Sequence, residues 1–195
     1  METRDCILQR RAIRKFQENK LPDEVIREIV DCARFAPSWA NTKAIRYICI
    51  VKEKTKKEVE ACCTEHNQGI VSSAPALFVL TAVKGLSGLE RGKALPYPSH
   101  TPEEWLMVDG GIAAQTLCLA AWDLGVGTVI MGGYDAVQVS QALKLPEDQI
   151  LVAIIAAGYP DEAPSAPRRK ELQDILQILH TVLCVLPCHG QSAAL

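Results

Sequence analysis

The sequence lacks a surplus of charge of either sign and has no long apolar run. Its 195 residues include 21 Lys and Arg against 23 Asp and Glu, for a formal net charge of −2. Domains that bind nucleic acids are usually clearly basic, so we expect no nucleic-acid partner. The longest apolar run, residues 150–158, has the length of a buried strand rather than of a membrane span. We therefore expect no membrane association.

Features of secretion and of metal binding are also missing. The first residues, Met-Glu-Thr-Arg-Asp-Cys, carry no apolar signal segment, and the eight cysteines include no Cys-x-x-Cys pair. The loose group of His180, Cys184, Cys188 and His189 does not have the spacing of zinc ligands, so we expect no metal site. The simpler interpretation is a set of reduced thiols in a cytoplasmic protein.

Several catalytic motifs are absent. No Gly-x-Gly-x-x-Gly follows a predicted strand, which argues against a Rossmann nicotinamide domain. There is no phosphate-binding loop with its lysine, and no serine lies between glycines as in a nucleophile elbow. We therefore predict no catalytic acid, base or nucleophile among the side chains.

The chain does contain ample material for a core, since 48% of it is hydrophobic and 23% is charged. We expect one domain over residues 1–195. Strands that alternate with helices favour a layered α/β or α+β fold. The predicted strands are 47–51, 76–83, 127–131 and 149–157, and the predicted helices are 5–13, 22–34, 54–63, 101–124, 135–143 and 171–179. Residues 84–100 are predicted to be a loop, either a lid or a surface excursion, and residues 187–195 a frayed tail.

The predicted helix 101–124 is apolar nearly all round. Thr101 and Pro102 form a strong helix start. Gly110 and Gly111, in the middle of the helix, are small enough to let another helix approach closely. A helix of this kind is buried on more than one side. We expect a central helix that also forms a subunit interface.

Three short segments are candidate binding elements. Arg10, Arg11 and Arg14 lie at the predicted end of the first helix, where guanidinium groups match phosphate oxygens or, alternatively, form a solvated basic helix end. Residues 36–42 form a polar turn that is either a cradle for a planar ligand or an ordinary connection. Residues 131–133, Met-Gly-Gly, allow close backbone approach to a ligand or form a plain strand-to-helix turn.

The order of these segments resembles the FMN-dependent nitroreductase family. Further matching pieces are Asp109-Gly110-Gly111 with Gln115, Leu119-Ala120-Ala121, residues 124–128, Leu145-Pro146-Glu147, Gly158-Tyr159-Pro160 and Arg169-Lys170. The resemblance implies an α+β, nitroreductase-like fold with a central, mostly antiparallel sheet flanked by helices. It also implies a domain-swapped or intertwined homodimer with its two flavin sites at the subunit interface.

The resemblance further implies FMN as the cofactor. The implied cofactor-binding residues are Arg10, Arg11, Ala12, Arg14, Pro37, Ser38, Trp39, Asn41, Lys43, Met131, Gly132, Gly133, Arg168 and Arg169. Ala12 stands where the family usually has serine, so a backbone N–H replaces a hydroxyl contact there. Lys43 stands where the family commonly has glutamine, and a cation at this position would stabilise a reduced, anionic flavin.

The implied reaction is ping-pong electron transfer. NADH or NADPH gives a hydride to flavin N5 and leaves, and a nitroaromatic, a quinone or a similar small-molecule acceptor then takes the electrons. Two alternatives stay open at this point. One is a specialised reductive enzyme of the dehalogenase kind, and the other is a non-catalytic flavin-binding or redox-sensing protein.

Overall fold

The computed structural model describes residues 1–90, 93–94 and 100–179 of the chain. The chain forms two compact units, Met1–Ser165 and Ala166–Leu195. The single domain expected over residues 1–195 stays a prediction, as does the frayed tail, which lies outside the described residues. Within the described ranges, no helix combines the length and the apolar character that a bilayer crossing needs.

The first unit contains six helices and six strands among its described residues. The helices are α1 (Thr3–Gln9), α2 (Asp23–Ala33), α3 (Glu53–Glu60), α4 (Glu65–Ser73), α5 (Pro102–Asp123) and α6 (Ala136–Ala142). The strands are β1 (Ile45–Ile50), β2 (Ala76–Val83), β3 (Leu89–Glu90), β4 (Lys93–Ala94), β5 (Gly127–Met131) and β6 (Gln149–Gly158).

Four strands form the central sheet in the order β1-β2-β6-β5, and every neighbouring pair is antiparallel. Ile45 of β1 pairs with Ala82 of β2, which pairs with Ile150 of β6. At the other side of the sheet, Thr128 of β5 pairs with Ala157 of β6. The predicted antiparallel α+β architecture is therefore confirmed, with β1 and β5 as the outer strands.

Helices cover both faces of this sheet. Alternate residues of a strand point to opposite faces, and β2 divides in this way: Leu77 and Val79 belong to one buried cluster, Phe78 and Leu80 to another. The first cluster contains side chains of α3 and α4, and the second contains side chains of α2 and α5. Strand β2 is thus apolar on both faces, which is typical of a central strand.

Helix α5 begins and ends as predicted. The Thr101 hydroxyl accepts the Glu104 N–H at 3.2 Å, and the Glu104 carboxylate accepts the Thr101 N–H at 2.7 Å, which forms a capping box. A Cβ on Gly110 would lie 2.4 Å from Val152, so this glycine allows β6 to pack against the helix. A Cβ on Gly111 would meet no atom of the described residues within 4 Å.

Two helix predictions differ from the structure. The expected helix over 54–63 corresponds to α3 and ends earlier, and it is followed by α4, which was not predicted because its polar first turn and Gly69 hide its periodicity. The expected helix over 171–179 is wrong, because the described part of the second unit has only the 3₁₀ turn Leu172–Asp174. Nine residues are too few to form a stable helix without packing, and the apolar side chains of this segment are exposed: Leu172, Ile175, Leu176, Ile178 and Leu179.

Candidate cofactor site

The turn between α2 and β1 has a strained backbone. Ala40, Asn41 and Lys43 have φ values of 43°, 57° and 56°, in the left-handed region. Asparagine tolerates this conformation, whereas alanine and lysine do so only at a cost of order 1–3 kcal/mol each. Such strain persists where surrounding contacts fix the backbone, and it is typical of functional sites.

Hydrogen bonds within the turn supply part of that fixation. The Ser38 hydroxyl oxygen accepts the Lys43 N–H at 3.0 Å, and the Ser38 carbonyl accepts the Asn41 N–H at 3.0 Å. The Lys43 carbonyl accepts from the Arg46 guanidinium at 2.7 Å. Hydrogen bonds thus hold both the N–H and the carbonyl of Lys43, which fixes the position of its backbone in the turn.

The turn opens onto a cavity of about 420 Å³, within the usual range for small-ligand sites. Four residues of the predicted flavin-binding set line it: Pro37, Ser38, Asn41 and Lys43. The other lining residues are Ala33, Arg34, Phe35, Ala36, Ala44, Ile45, Arg46, Tyr47, Asp109 and Ala113. The lining combines apolar side chains with polar groups of the turn, which suits a flat ligand with polar edges.

Positive charge dominates the lining of this cavity. Arg34, Lys43 and Arg46 contribute three cations, and Asp109 contributes one carboxylate. Arg34 pairs with the exposed carboxylate of Asp31 at 2.6 Å. The surplus cations favour a ligand that carries or gains negative charge.

Trp39, also predicted to contact the cofactor, turns its side chain elsewhere. The indole Nε1–H donates to the Leu89 carbonyl at 2.8 Å, and the ring packs on Trp105 with centroids 4.5 Å apart. Its ring does not line the cavity. The indole instead anchors the segment 84–90, so the first part of the predicted loop is fixed. Residues 91–92 and 95–99 of that loop lie outside the described residues.

The arginine segment follows α1 as extended chain rather than as a helix end. Helix α1 stops at Gln9, four residues earlier than predicted, because Ala12 forms a parallel bridge with Thr128 and the Ile13 N–H donates to the Thr128 carbonyl at 3.0 Å. Ile13 is buried there. The segment therefore extends the sheet beyond β5, and the alternative of a basic helix end is wrong for Arg11 and Arg14.

The side chains of the arginine segment have few strong internal partners. The Arg11 guanidinium donates to the Leu8 carbonyl at 2.8 Å and the Arg10 carbonyl at 3.0 Å. The Arg14 backbone N–H donates to the Glu162 carboxylate. No ion pair among the described residues involves any of the three guanidinium groups. Their charges are free of carboxylate partners in that part of the chain and suit phosphate binding.

The two glycines after β5 have different surroundings. A Cβ on Gly132 would meet no described atom within 4 Å, so this position leaves room for a ligand. A Cβ on Gly133 would lie 2.8 Å from Thr64 Oγ1 and 2.9 Å from Asn67 Nδ2. The Gly133 carbonyl also accepts the Asn67 amide at 3.0 Å. Gly133 therefore packs closely against the side chains of Thr64 and Asn67, and Asp135 caps α6.

One protomer does not bring the two predicted parts of the site together. The turn leads into Ile45 on one edge of the sheet, and Ala12 bridges Thr128 on the other. Ile45 is aligned with Ile150 of β6 through Ala82 of β2, and Thr128 is paired with Ala157 of β6. Three strand spacings and seven residues along the strand separate Ile45 from Thr128 by about 27 Å. Ala12 lies one further spacing out, at about 30 Å from Ile45.

Arg168 and Arg169 belong to the second compact unit, and both are exposed. Their part in the site stays a prediction.

Three of the described cysteines, Cys49, Cys63 and Cys118, are poor candidates for redox chemistry. Burial raises the pKa of Cys49 and of Cys63 to about 11, and burial also raises the pKa of Cys118. A thiol with a raised pKa is protonated at neutral pH and reacts slowly. The described ranges contain no cluster of His, Cys, Asp and Glu that could hold a metal ion. The group of His180, Cys184, Cys188 and His189 lies outside them.

Sequence reasoning missed two residues of this region. Asp109 was noted only as part of the resemblance, and Arg46 was not singled out. Both line the cavity from outside the turn, Asp109 from α5 and Arg46 from β1. The spacing of these residues in the chain carries no signal for this contact, because it arises from tertiary packing.

Comparisons with known proteins point to one family. The Nitroreductase family model matches residues 7–159. A Bacillus subtilis protein named "Putative NAD(P)H nitroreductase YfhC" is 32% identical over 180 residues, which cover 88% of this chain and 91% of that protein. A nitroreductase family protein from Streptococcus pneumoniae superimposes with a TM-score of 0.82 at 20% identity, over 91% of this chain and all of the other.

A Desulfovibrio desulfuricans structure, described as "a putative nitroreductase in complex with fmn", has a TM-score of 0.77 at 26% identity and covers 92% of this chain and 98% of its own. The match to the family model spans most of the chain, from α1 to the residue after β6. The chain therefore belongs to the nitroreductase family.

Proposed function

We propose that this protein is an FMN-dependent oxidoreductase that passes electrons from NADH or NADPH to a nitroaromatic, a quinone or a similar small acceptor. The observation that carries the proposal is the cavity beneath the strained turn, lined by Pro37, Ser38, Asn41 and Lys43. Family membership and the FMN complex of the D. desulfuricans relative support it. The two half-reactions follow a ping-pong order, since one site serves both donor and acceptor.

When bound, FMN supplies the hydride and electron chemistry, and the protein supplies position and electrostatics. Ser38 and Asn41 present polar atoms to the edge of a flat ligand, and the fixed backbone keeps them in place. The Lys43 ammonium stabilises negative charge that develops on the ligand during reduction. Gly132 leaves space for backbone approach to the ring. This division of roles explains why no general acid or base stands out in the sequence.

A homodimer completes the site in this proposal. The arginine segment and the turn lie about 30 Å apart in one protomer, so we infer that the arginine segment of one protomer meets the turn of its partner. Exposed apolar side chains offer the contact surface, among them Ile7 and Leu8 of α1 and Met107 and Val108 of α5. The open side of Gly111 lets another helix approach α5 closely.

The second unit fits the intertwined form of such a dimer. Five apolar side chains between residues 172 and 179 are exposed, and an exposed apolar segment of this kind finds burial on another subunit. Arg168 and Arg169 at its start would then provide further phosphate contacts. The six described cysteines are free thiols, and a cytoplasmic location is part of the proposal.

Purification and optical spectroscopy test the assignment. The protein should be yellow, release FMN on denaturation and oxidise NADH or NADPH in the presence of a quinone. Light scattering should give twice the chain mass. A colourless protein that also fails to take up added FMN would overturn the cofactor assignment, and FMN binding without turnover would leave a flavin-binding protein instead.

A further inference from the structure

Asp109 is a buried carboxylate that belongs to no ion pair of the described residues. Only 2% of the residue is exposed. Its Oδ1 accepts the backbone N–H of Trp39 at 2.9 Å, and its Oδ2 accepts the Ser87 hydroxyl at 2.6 Å. A buried carboxylate is costly unless its oxygens are hydrogen-bonded. These two donors therefore hold Asp109 in place, and Asp109 holds them.

The two donors come from segments that are distant in the chain. Trp39 begins the strained turn, and Ser87 is fully buried in the segment 84–90. A second link joins the same segments, since the Trp39 indole donates to the Leu89 carbonyl. Asp109, Ser87, Leu89 and Trp39 thus close a ring of contacts between α5, the turn and the segment 84–90.

The segment 84–90 has little freedom to shift within this ring. A Cβ on Gly88 would lie 2.6 Å from the Pro102 Cα, and its φ of 72° lies in the left-handed region that favours glycine. The Asp109–Trp39 bond in turn fixes the peptide that precedes Ala40, Asn41 and Lys43. Strained residues persist only where such outside contacts determine them.

We propose that Asp109 is a positioning residue that couples the turn 38–43 to the segment 84–90. Loosening the segment then weakens a ligand held by the turn, and a ligand held by the turn orders the segment, because coupling between two sites is reciprocal. The proposal rests on the proposed function in naming that ligand as FMN. The ligand-free part of its test does not depend on FMN.

The first test is Ser87→Ala, which removes one donor to Asp109 and leaves every side chain that lines the cavity unchanged. Amide hydrogen exchange should accelerate at residues 39–43 by about tenfold or more in the ligand-free protein. The Kd for FMN should rise by a similar factor. Ser140→Ala is the matched control, because it removes a hydroxyl that bonds only within α6, to the Ala136 carbonyl at 2.7 Å. It should leave exchange at residues 39–43 unchanged.

The second test compares Asp109→Asn with Asp109→Ala. The amide introduced by Asp109→Asn can accept the Trp39 N–H through its oxygen and donate to the Ser87 oxygen through its nitrogen. Exchange at residues 39–43 should stay close to wild type in this variant and accelerate in Asp109→Ala. Equal acceleration in both variants would show that the hydrogen bonds do not carry the coupling.

The outcomes separate this proposal from the proposed function. If the wild type binds FMN and Ser87→Ala exchanges at the wild-type rate in the turn, the coupling is wrong and the proposed function stands. If the wild type binds no FMN, the proposed function is wrong and the ligand-free exchange rates still decide the coupling. Acceleration spread evenly over β2 and β6 as well as the turn would indicate general destabilisation and contradict the proposal.

Discussion

Alanine at Gly132 and alanine at Gly133 should have opposite effects, although the two residues are adjacent. At Gly133 the added Cβ would lie 2.8 Å from Thr64 Oγ1 and 2.9 Å from Asn67 Nδ2. Real Cβ atoms do not approach so closely, so the side chains of Thr64 and Asn67 must move, and the Asn67 amide loses its bond to the Gly133 carbonyl. Overpacking of this kind costs about 1–3 kcal/mol.

At Gly132 the added Cβ would meet no described atom within 4 Å, and the residue is not among those with positive φ. A glycine replaced at a compatible position gains about 0.4–1 kcal/mol through the unfolded state. Gly132→Ala should therefore be as stable as the wild type or slightly more stable. If the backbone approaches FMN there, the methyl group should weaken FMN binding.

Thermal unfolding and FMN titration on both variants test this reasoning. For a chain of this size, each kcal/mol of unfolding free energy changes the Tm by about 2–4 °C. Gly133→Ala should therefore melt several degrees below Gly132→Ala. Equal melting temperatures would refute the packing of Gly133 against α4. Unchanged FMN affinity in Gly132→Ala would refute the assignment of Gly132 to the flavin site.

Three further outcomes are expected. Arg10→Ala and Arg169→Ala should each weaken FMN binding by about 1.5–3 kcal/mol if they make charge-assisted phosphate bonds, as measured by titration. Lys56→Met should lower the free energy of unfolding by about 1–3 kcal/mol in urea, because the buried Ala74 carbonyl loses the Lys56 ammonium that donates to it. Backbone and side-chain hydrogen bonds lower the pKa of Asp135 and of Glu104 in the folded state. A lowered folded pKa gives stability that is present at neutral pH and lost in acid. Tm should therefore fall as the pH drops below 4.5 and 3.8, the ordinary pKa values of Glu104 and Asp135, and Asp135→Asn should reduce that fall.

Elements with complete local signals were predictable from the sequence. Strand β2 has the predicted bounds because its eight residues are apolar on both faces. Helix α5 begins and ends within one residue of its predicted bounds, because neighbouring residues encode both ends. The capping box at Thr101 starts the helix, and Gly125, with a φ of 75°, ends it. The turn 36–42 was recognisable by its residue types and by its resemblance to the family.

Features that depend on distant contacts were not predictable. The arginine segment leaves the helix at Arg10 because Thr128, far along the chain, pairs with Ala12. The Trp39 indole turns away from the cavity because Leu89 offers it a carbonyl. The sequence predicted a helix over 171–179, but the apolar side chains of this segment are exposed among the described residues. Local patterns describe propensity, and tertiary contacts decide between the alternatives.

FMN titration of a mixed dimer tests the central claim most directly. Arg10→Ala removes a phosphate contact, and Asn41→Asp adds a repelling carboxylate in the turn while it keeps a residue that tolerates positive φ. Neither variant alone should bind FMN tightly. When both chains are co-expressed and the mixed dimer is purified, one of its two sites should combine an intact arginine segment with an intact turn and bind FMN with wild-type affinity. A mixed dimer without any tight site would contradict a flavin site shared between protomers.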